Sequence, residues 1–249
     1  MKKEIIANYV TIFEKIEKEN LRVRNEENKK LACYFFNKGE LYDGKLMVIG
    51  RAGNGCEEES CWKQGDSKAR SIEQFVENTY SHQMQWSLRW VTEWWGRNEV
   101  NDKDEKLYNS ATPFWKLIKA VLKGIDKSQW DEENWPLKIV WSNIFKVSPM
   151  NGGNPNYTLQ KLQLDFCKEI LKIEIESCKP RNILFVTGDD WFKYVESLFI
   201  IDESNFIYKY ADGTVANVYI CERPEFKSPS MMAEKIISQY KSQIRGKIS

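Results

Sequence analysis

Lys45 to Gly55 reads KLMVIGRAGNG. A run of apolar residues stops there at a glycine-rich turn. A buried strand that ends in small residues is how open α/β sheets expose backbone N–H groups at a ligand site. Three later stretches have the same character: LKIVWSN (Leu137 to Asn143), NILFVTG (Asn182 to Gly188) and VANVYICERPE (Val215 to Glu225). As parallel neighbours, their C-terminal ends converge on one crevice. Helical patterns separate them, so the expected fold class is α/β: a three-layer α/β/α arrangement with a central, mostly parallel four-stranded sheet. The expected organisation is one domain over residues 1–249, with an insertion at about 56–108.

Outward from these strands, Ile5, Ile6, Tyr9, Val10, Ile12, Phe13 and Ile16 recur at helical spacing among lysines and glutamates, which predicts an amphipathic helix. Leu31 to Asn37 is expected to extend a second helix. Ala69 to Tyr80 also reads as a helix. In WSLRWVTEWW, Trp86, Trp90 and Trp94 stand four apart, a core-facing helical stripe. Thr112-Pro113 is an N-cap and first-turn pair that opens a helix over Ala111 to Leu122. Further helices are expected at Leu159 to Ser177, Asp189 to Leu198 and Ser230 to Gln243. Asp212-Gly213 marks a hairpin between Asn205–Tyr210 and Val215–Ile220.

Bulk properties exclude several classes. The chain carries 37 Lys and Arg against 36 Asp and Glu, so no global basic field advertises nucleic acid, although a local basic groove is compatible with this balance. Six cysteines without a CxxC pair, and a single histidine, argue against a zinc or iron–sulfur site. No metal or organic cofactor is expected. The start MKKEIIANYVTIFEKIEKEN lacks the continuous apolar core of a signal peptide, and no apolar run is long enough to span a bilayer. A reduced, cytoplasmic, monomeric protein with free thiols is expected, with no membrane partner.

Four segments could carry chemistry. Gly50 to Gly55 lets backbone approach an anion or a flat ring, and is equally a plain β–α turn; its spacing fits neither a dinucleotide fingerprint nor a P-loop. Asn143, at a strand end, can pair with a base edge as donor and acceptor at once, or simply cap the strand. Arg223 and Lys227, in CERPEFKS, can hold phosphate, or form a solvated strand end. Asn109 to Trp115 is an aromatic helix start that alone reads as core.

Together and in this order, the segments resemble the uracil-DNA glycosylase superfamily, in its mismatch-specific and thymine-glycosylase branches. Gly50 to Gly55 is similar to that family's first turn, and Asn109 with Phe114-Trp115 to a later helix start. Asn143, Lys146 and Pro149 are similar to the base-reading strand end, and Arg223-Pro224-Glu225 takes the place of the minor-groove loop. The resemblance spans about Lys45 to Gln243. It implies a DNA partner, single- or double-stranded, and hydrolysis of the N-glycosidic bond of a flipped base. Asn54 would position water, with Glu57 as the reserve base. Asn143 would recognise the base, and Phe145, Trp62 or Phe114 would stack on it. Arg51, Gly53, Lys146, Arg223 and Lys227 would contact the DNA backbone. Ala52 stands where the family carries its acidic or amide residue, and the loop histidine is absent. With the Trp-rich insertion, these departures point away from plain uracil. They point to a bulky modified base, such as the glucosylated hydroxymethylcytosine of phage DNA, in antiviral defence. The alternatives are a non-catalytic nucleic-acid or nucleotide-binding module on the same fold, and a hydrolase whose Glu57 to Glu59 run binds a divalent metal.

Overall fold

The computed structural model describes residues 1–19, 30–53, 61–63, 71–85, 88–92, 109–150, 153–202 and 205–246. Helix α1 (Lys2–Lys18) buries Ile5, Ile6, Tyr9, Ile12, Phe13 and Ile16 on one face, the stripe that its periodicity predicts. The next described residues form strands β1 (Lys30–Cys33) and β2 (Asn37–Lys38), and not the expected helix. The physical reason is burial. Every residue from Leu31 to Phe36 is buried, and a surface helix hides only one stripe.

The order continues as β3 (Leu46–Ala52), β4 (Cys61–Lys63), α2 (Ile72–Gln85), α3 (Pro113–Ile125), β5 (Ile139–Phe145) and β6 (Val147–Pro149). Then come α4 (Tyr157–Cys178), β7 (Asn182–Val186), α5 (Asp189–Phe192), β8 (Ile200–Asp202), β9 (Asn205–Lys209), β10 (Val215–Cys221) and α6 (Pro229–Gly246). The Thr112 side chain accepts the Trp115 N–H at the start of α3, and Pro113 fills the first turn. The expected helix over Asp189 to Leu198 is shorter: it breaks after Phe192 into a 3-10 turn at Glu196–Leu198. Of the insertion at about 56–108, the described parts are β4, α2 and a 3-10 turn at Leu88–Val91. Trp86 and Trp94 lie outside the described residues.

Among the described residues the main sheet is seven-stranded and mixed, in the order β2-β5-β3-β7-β10-β9-β8, and so wider than the four strands expected. The pairs β5–β3, β3–β7 and β7–β10 are parallel. Antiparallel β2 extends one edge, and β9 and β8 extend the other. A small antiparallel sheet, β4-β1-β6, lies alongside. Alternation along β3 feeds two cores. Met47 and Ile49 pack with residues of α1, α2 and α4, whereas Leu46 and Val48 pack with residues of α3 and α6. The chain leaves β3 to form β5 on one side and later returns to form β7 on the other. The connections therefore diverge at the C-terminal end of β3, which is where open α/β sheets hold ligands.

That end is braced by a buried ion pair. Lys146 Nζ donates to both Glu174 carboxylate oxygens at 2.9 and 2.8 Å and to Ser142 Oγ at 2.8 Å. Ser142 Oγ in turn donates to Glu174 at 2.7 Å. Both charged side chains are 0% exposed. Burial raises the Glu174 carboxyl above its ordinary value, and the Lys146 charge opposes that rise. Gln163 Oε1 accepts the N–H groups of Lys146 and Val147, so α4 holds the β5–β6 corner through side chains alone.

Two outcomes are expected. Lys146→Met should lower unfolding free energy by about 3–5 kcal/mol, because it strands a buried carboxylate. Lys146→Met with Glu174→Leu should recover most of that loss in urea titrations. Burial also pushes the Cys167 thiol to about 12 and the Cys178 thiol to about 11. Iodoacetamide at pH 8 should therefore leave both unmodified in the native protein and alkylate both in denaturant, read by mass spectrometry.

Candidate functional site

The C-terminal end of β3 is defined by a contact between neighbouring parallel strands. Gly50 of β3 is in register with Asn143 of β5. A Cβ on Gly50 would lie 2.5 Å from Asn143 Oδ1. Only glycine lets the carboxamide lie across the neighbouring strand. Asn143 is 3% exposed, and among the described residues no side-chain hydrogen bond of Asn143 is found. A carboxamide offers a donor and an acceptor together, the pattern that pairs with an amide-like base edge. Trp141, two residues earlier, shares this face, with Trp90 and Trp115 packed against it at 5.5 and 5.8 Å between ring centroids.

The turn after β3 is held from the other sheet. The Tyr34 ring occupies the space that a side chain on Gly53 would need. Ser148 Oγ donates to Gly53 O at 2.8 Å. Tyr34 is itself fixed: its N–H donates to Lys146 O at 2.8 Å, and its carbonyl accepts the Tyr9 hydroxyl at 2.5 Å. Sequence reading missed Tyr34 and Ser148. Tyr34 carried no signal, because it sits in a stretch read as helix. The Ser148-Pro149 pair did stand in a segment singled out for Asn143, but only as a loop.

The rim comes from β3, β7 and β10. Arg51 points to the face opposite Gly50 and Asn143. Its Nε donates to Thr187 O at 2.8 Å, and its guanidinium lies 5.2 Å from the centre of the Trp191 ring. After β10, Arg223 pairs with Glu225 at 2.6 Å, and Lys227 pairs with Glu222. Phe226, between these pairs, is fully exposed and has a φ of 64°. Positive φ is uncommon for a bulky residue and costs roughly 1–3 kcal/mol. The Lys227 N–H to Pro224 O bond closes the turn that displays it. Sequence reading passed over Phe226, though an aromatic residue amid charges after Pro224 was the available signal.

The residues expected at the site divide into three groups. Arg51, Gly53 and Asn143 are gathered at the C-terminal end of β3. Asn54 and Glu57 lie outside the described residues, as does the Glu57 to Glu59 run. The third group calls for correction. Trp62 is fully buried, its Nε1 donates to Glu17 at 2.7 Å, and its ring packs among Phe13 and Phe75, so no face is free for a base. Phe145 is likewise buried, edge-on to Trp191 and Tyr194. Lys146 is committed to Glu174 and presents no charge to DNA. Phe114 is half-buried at the start of α3, edge-on to Trp115. Arg223 and Lys227 remain at the rim, each with its own carboxylate.

Among the described residues no group of three or more His, Cys, Asp or Glu could hold a metal ion, and no helix is long and apolar enough to cross a membrane. The five described cysteines are free thiols. The sequence matches no known family model and no curated protein.

Gly53→Ala should destabilise the fold by roughly 1–3 kcal/mol, because the new methyl meets the buried Tyr34 ring. Gly50→Ala meets only the end of a side chain, so it should cost less stability while displacing the Asn143 carboxamide. Thermal unfolding of the two variants should rank them in that order.

Proposed function

We propose that this chain is a DNA glycosylase, which flips a modified or damaged base out of DNA and hydrolyses its N-glycosidic bond. The observation that carries the reading is the Asn143 carboxamide, set over Gly50 at the end of a parallel strand. The parallel run β5-β3-β7-β10 within the wider sheet supports the resemblance to the uracil-DNA glycosylase superfamily, and so does the divergence of connections at β3.

Glycosidic cleavage develops positive charge on the sugar and negative charge on the departing base. Asn143 hydrogen-bonds the base edge, which selects the base and stabilises the charge it takes away. Asn54, one residue beyond the clamped Gly53, positions the attacking water, with Glu57 as the reserve base. The exposed Phe226 enters the stack at the gap left by the flipped nucleotide, as apolar wedges do in duplex DNA. No metal or organic cofactor takes part in this scheme. The proposed target is a bulky modified base, such as the glucosylated hydroxymethylcytosine of phage DNA, removed in cytoplasmic antiviral defence.

The test is incubation with DNA carrying uracil, deaminated purines or glucosylated hydroxymethylcytosine, followed by alkali to reveal abasic sites. The wild type should cleave at one of these bases. Asn143→Ala should retain its fold and lose roughly 10²-fold or more in excision rate. Phe226→Ala should leave the melting temperature unchanged and lower excision from duplex more than from single strands. Absence of cleavage on every substrate by folded protein would reject the enzyme reading. Retained DNA binding would then favour the non-catalytic module.

A further inference from the structure

Among the described residues, three cations near the end of the sheet each have a carboxylate of their own. Arg223 is bonded to Glu225, Lys227 to Glu222, and Lys193 to Asp190 at 3.3 Å. Arg51 differs. Its one described hydrogen bond runs from Nε to a neutral carbonyl, Thr187 O. That bond and the Trp191 ring, its centre 5.2 Å from the guanidinium, position the head group. Among the described residues neither Nη group has a hydrogen-bond partner, and these are the atoms that grip a phosphate in a fork.

The electrostatic surroundings fit an anion. Burial disfavours the charged form of Arg51 most and neighbouring Arg223 adds to that, while Glu225 and Asp190 offset part of the cost. An arginine does not lose its proton under such pressure, so the cost is relieved by bringing in negative charge. Asp190 and Glu225 lie within electrostatic reach, but their hydrogen bonds go to Lys193 and Arg223. The station also stands on the face of β3 opposite Asn143. A strand whose base enters beside Asn143 would pass its backbone over the end of β3.

We propose that Arg51, stacked on Trp191 and tied to Thr187 O, is the phosphate anchor of this site, gripping one phosphodiester of a nucleic-acid strand. Arg223 adds charge beside it, while Lys146 contributes nothing to strand binding. This inference rests on the reading that DNA is the ligand, but not on catalysis. The anchor requires a guanidinium. Lysine has no Nε to reach Thr187 O while its charge faces the phosphate, and it stacks less well on the indole.

The experiment is fluorescence anisotropy with a labelled single strand of mixed sequence, at a series of salt concentrations. Arg51→Gln should weaken binding about tenfold or more, equally for different sequences. Its log–log salt slope should be shallower by about 0.7, the loss of one phosphate contact on a single strand. Arg51→Lys should retain the salt slope yet stay several-fold weaker than wild type. Unchanged affinity and slope in Arg51→Gln, or full rescue by lysine, would overturn the anchor, as would a wild type that binds no strand. Inorganic phosphate serves as the second probe. If it raises the melting temperature through Arg51 while no strand binds, the site belongs to a free anion and the proposal falls. Strand binding through Arg51 without excision keeps the anchor and removes the glycosylase. Excision with an unchanged salt slope in Arg51→Gln does the reverse.

Discussion

The fold's candidate site depends on a buried ion pair. Lys146 and Glu174 are both removed from water, and Ser142 completes the ring of hydrogen bonds between them. Taking these charges out of water is costly, and their attraction offsets the cost only in a well-satisfied geometry. The geometry here ties the C-terminal part of α4 to the end of β5. Gln163, one helix segment earlier, binds the backbone where β5 turns into β6. Asn143 stands next to that corner, and its carboxamide lies across Gly50 of the neighbouring strand.

The same corner also supports the turn after β3. Lys146 O receives the Tyr34 N–H, and Ser148, two residues on, binds Gly53 O. The small β4-β1-β6 sheet is therefore a brace between α1 and the site. Functional geometry of this kind needs rigid elements under short loops, because a small displacement at a reacting centre is expensive. Here the glycines do the complementary job. Gly50 makes room for a carboxamide, and Gly53 makes room for an aromatic ring.

The two faces of β3 divide the labour. On the face of Gly50 lies Asn143, on the same side of β5 as Trp141 and the tryptophans packed against it. On the opposite face, Arg51 lies on Trp191 beside the charged loop that follows β10. Strand alternation alone produces this separation. It places the Asn143 carboxamide and the Arg51 guanidinium on opposite faces near a single strand end.

Much of this was legible in the sequence, and the parts that were not share a cause. The strands at Lys45, Leu137, Asn182 and Val215, the amphipathic first helix, the Thr112-Pro113 helix start and the Asp-Gly hairpin are all local signals. Each depends on apolar periodicity or turn chemistry within a few residues. The sequence also marked Gly50, Arg51 and Asn143, because small and polar residues ended apolar runs. Tertiary structure decided the rest. Lys146 looked like a surface cation until Glu174, twenty-eight residues away, consumed it. Trp62 and Phe145 looked like stacking platforms until cores closed over both faces of each ring. Leu31 to Phe36 looked helical until neighbouring strands buried it on every side. Local sequence determines which segments become strands and helices, because backbone preference and periodicity act over a few residues. Whether a charge or a ring faces water or protein depends on partners distant in the chain, and only the folded structure brings those partners together.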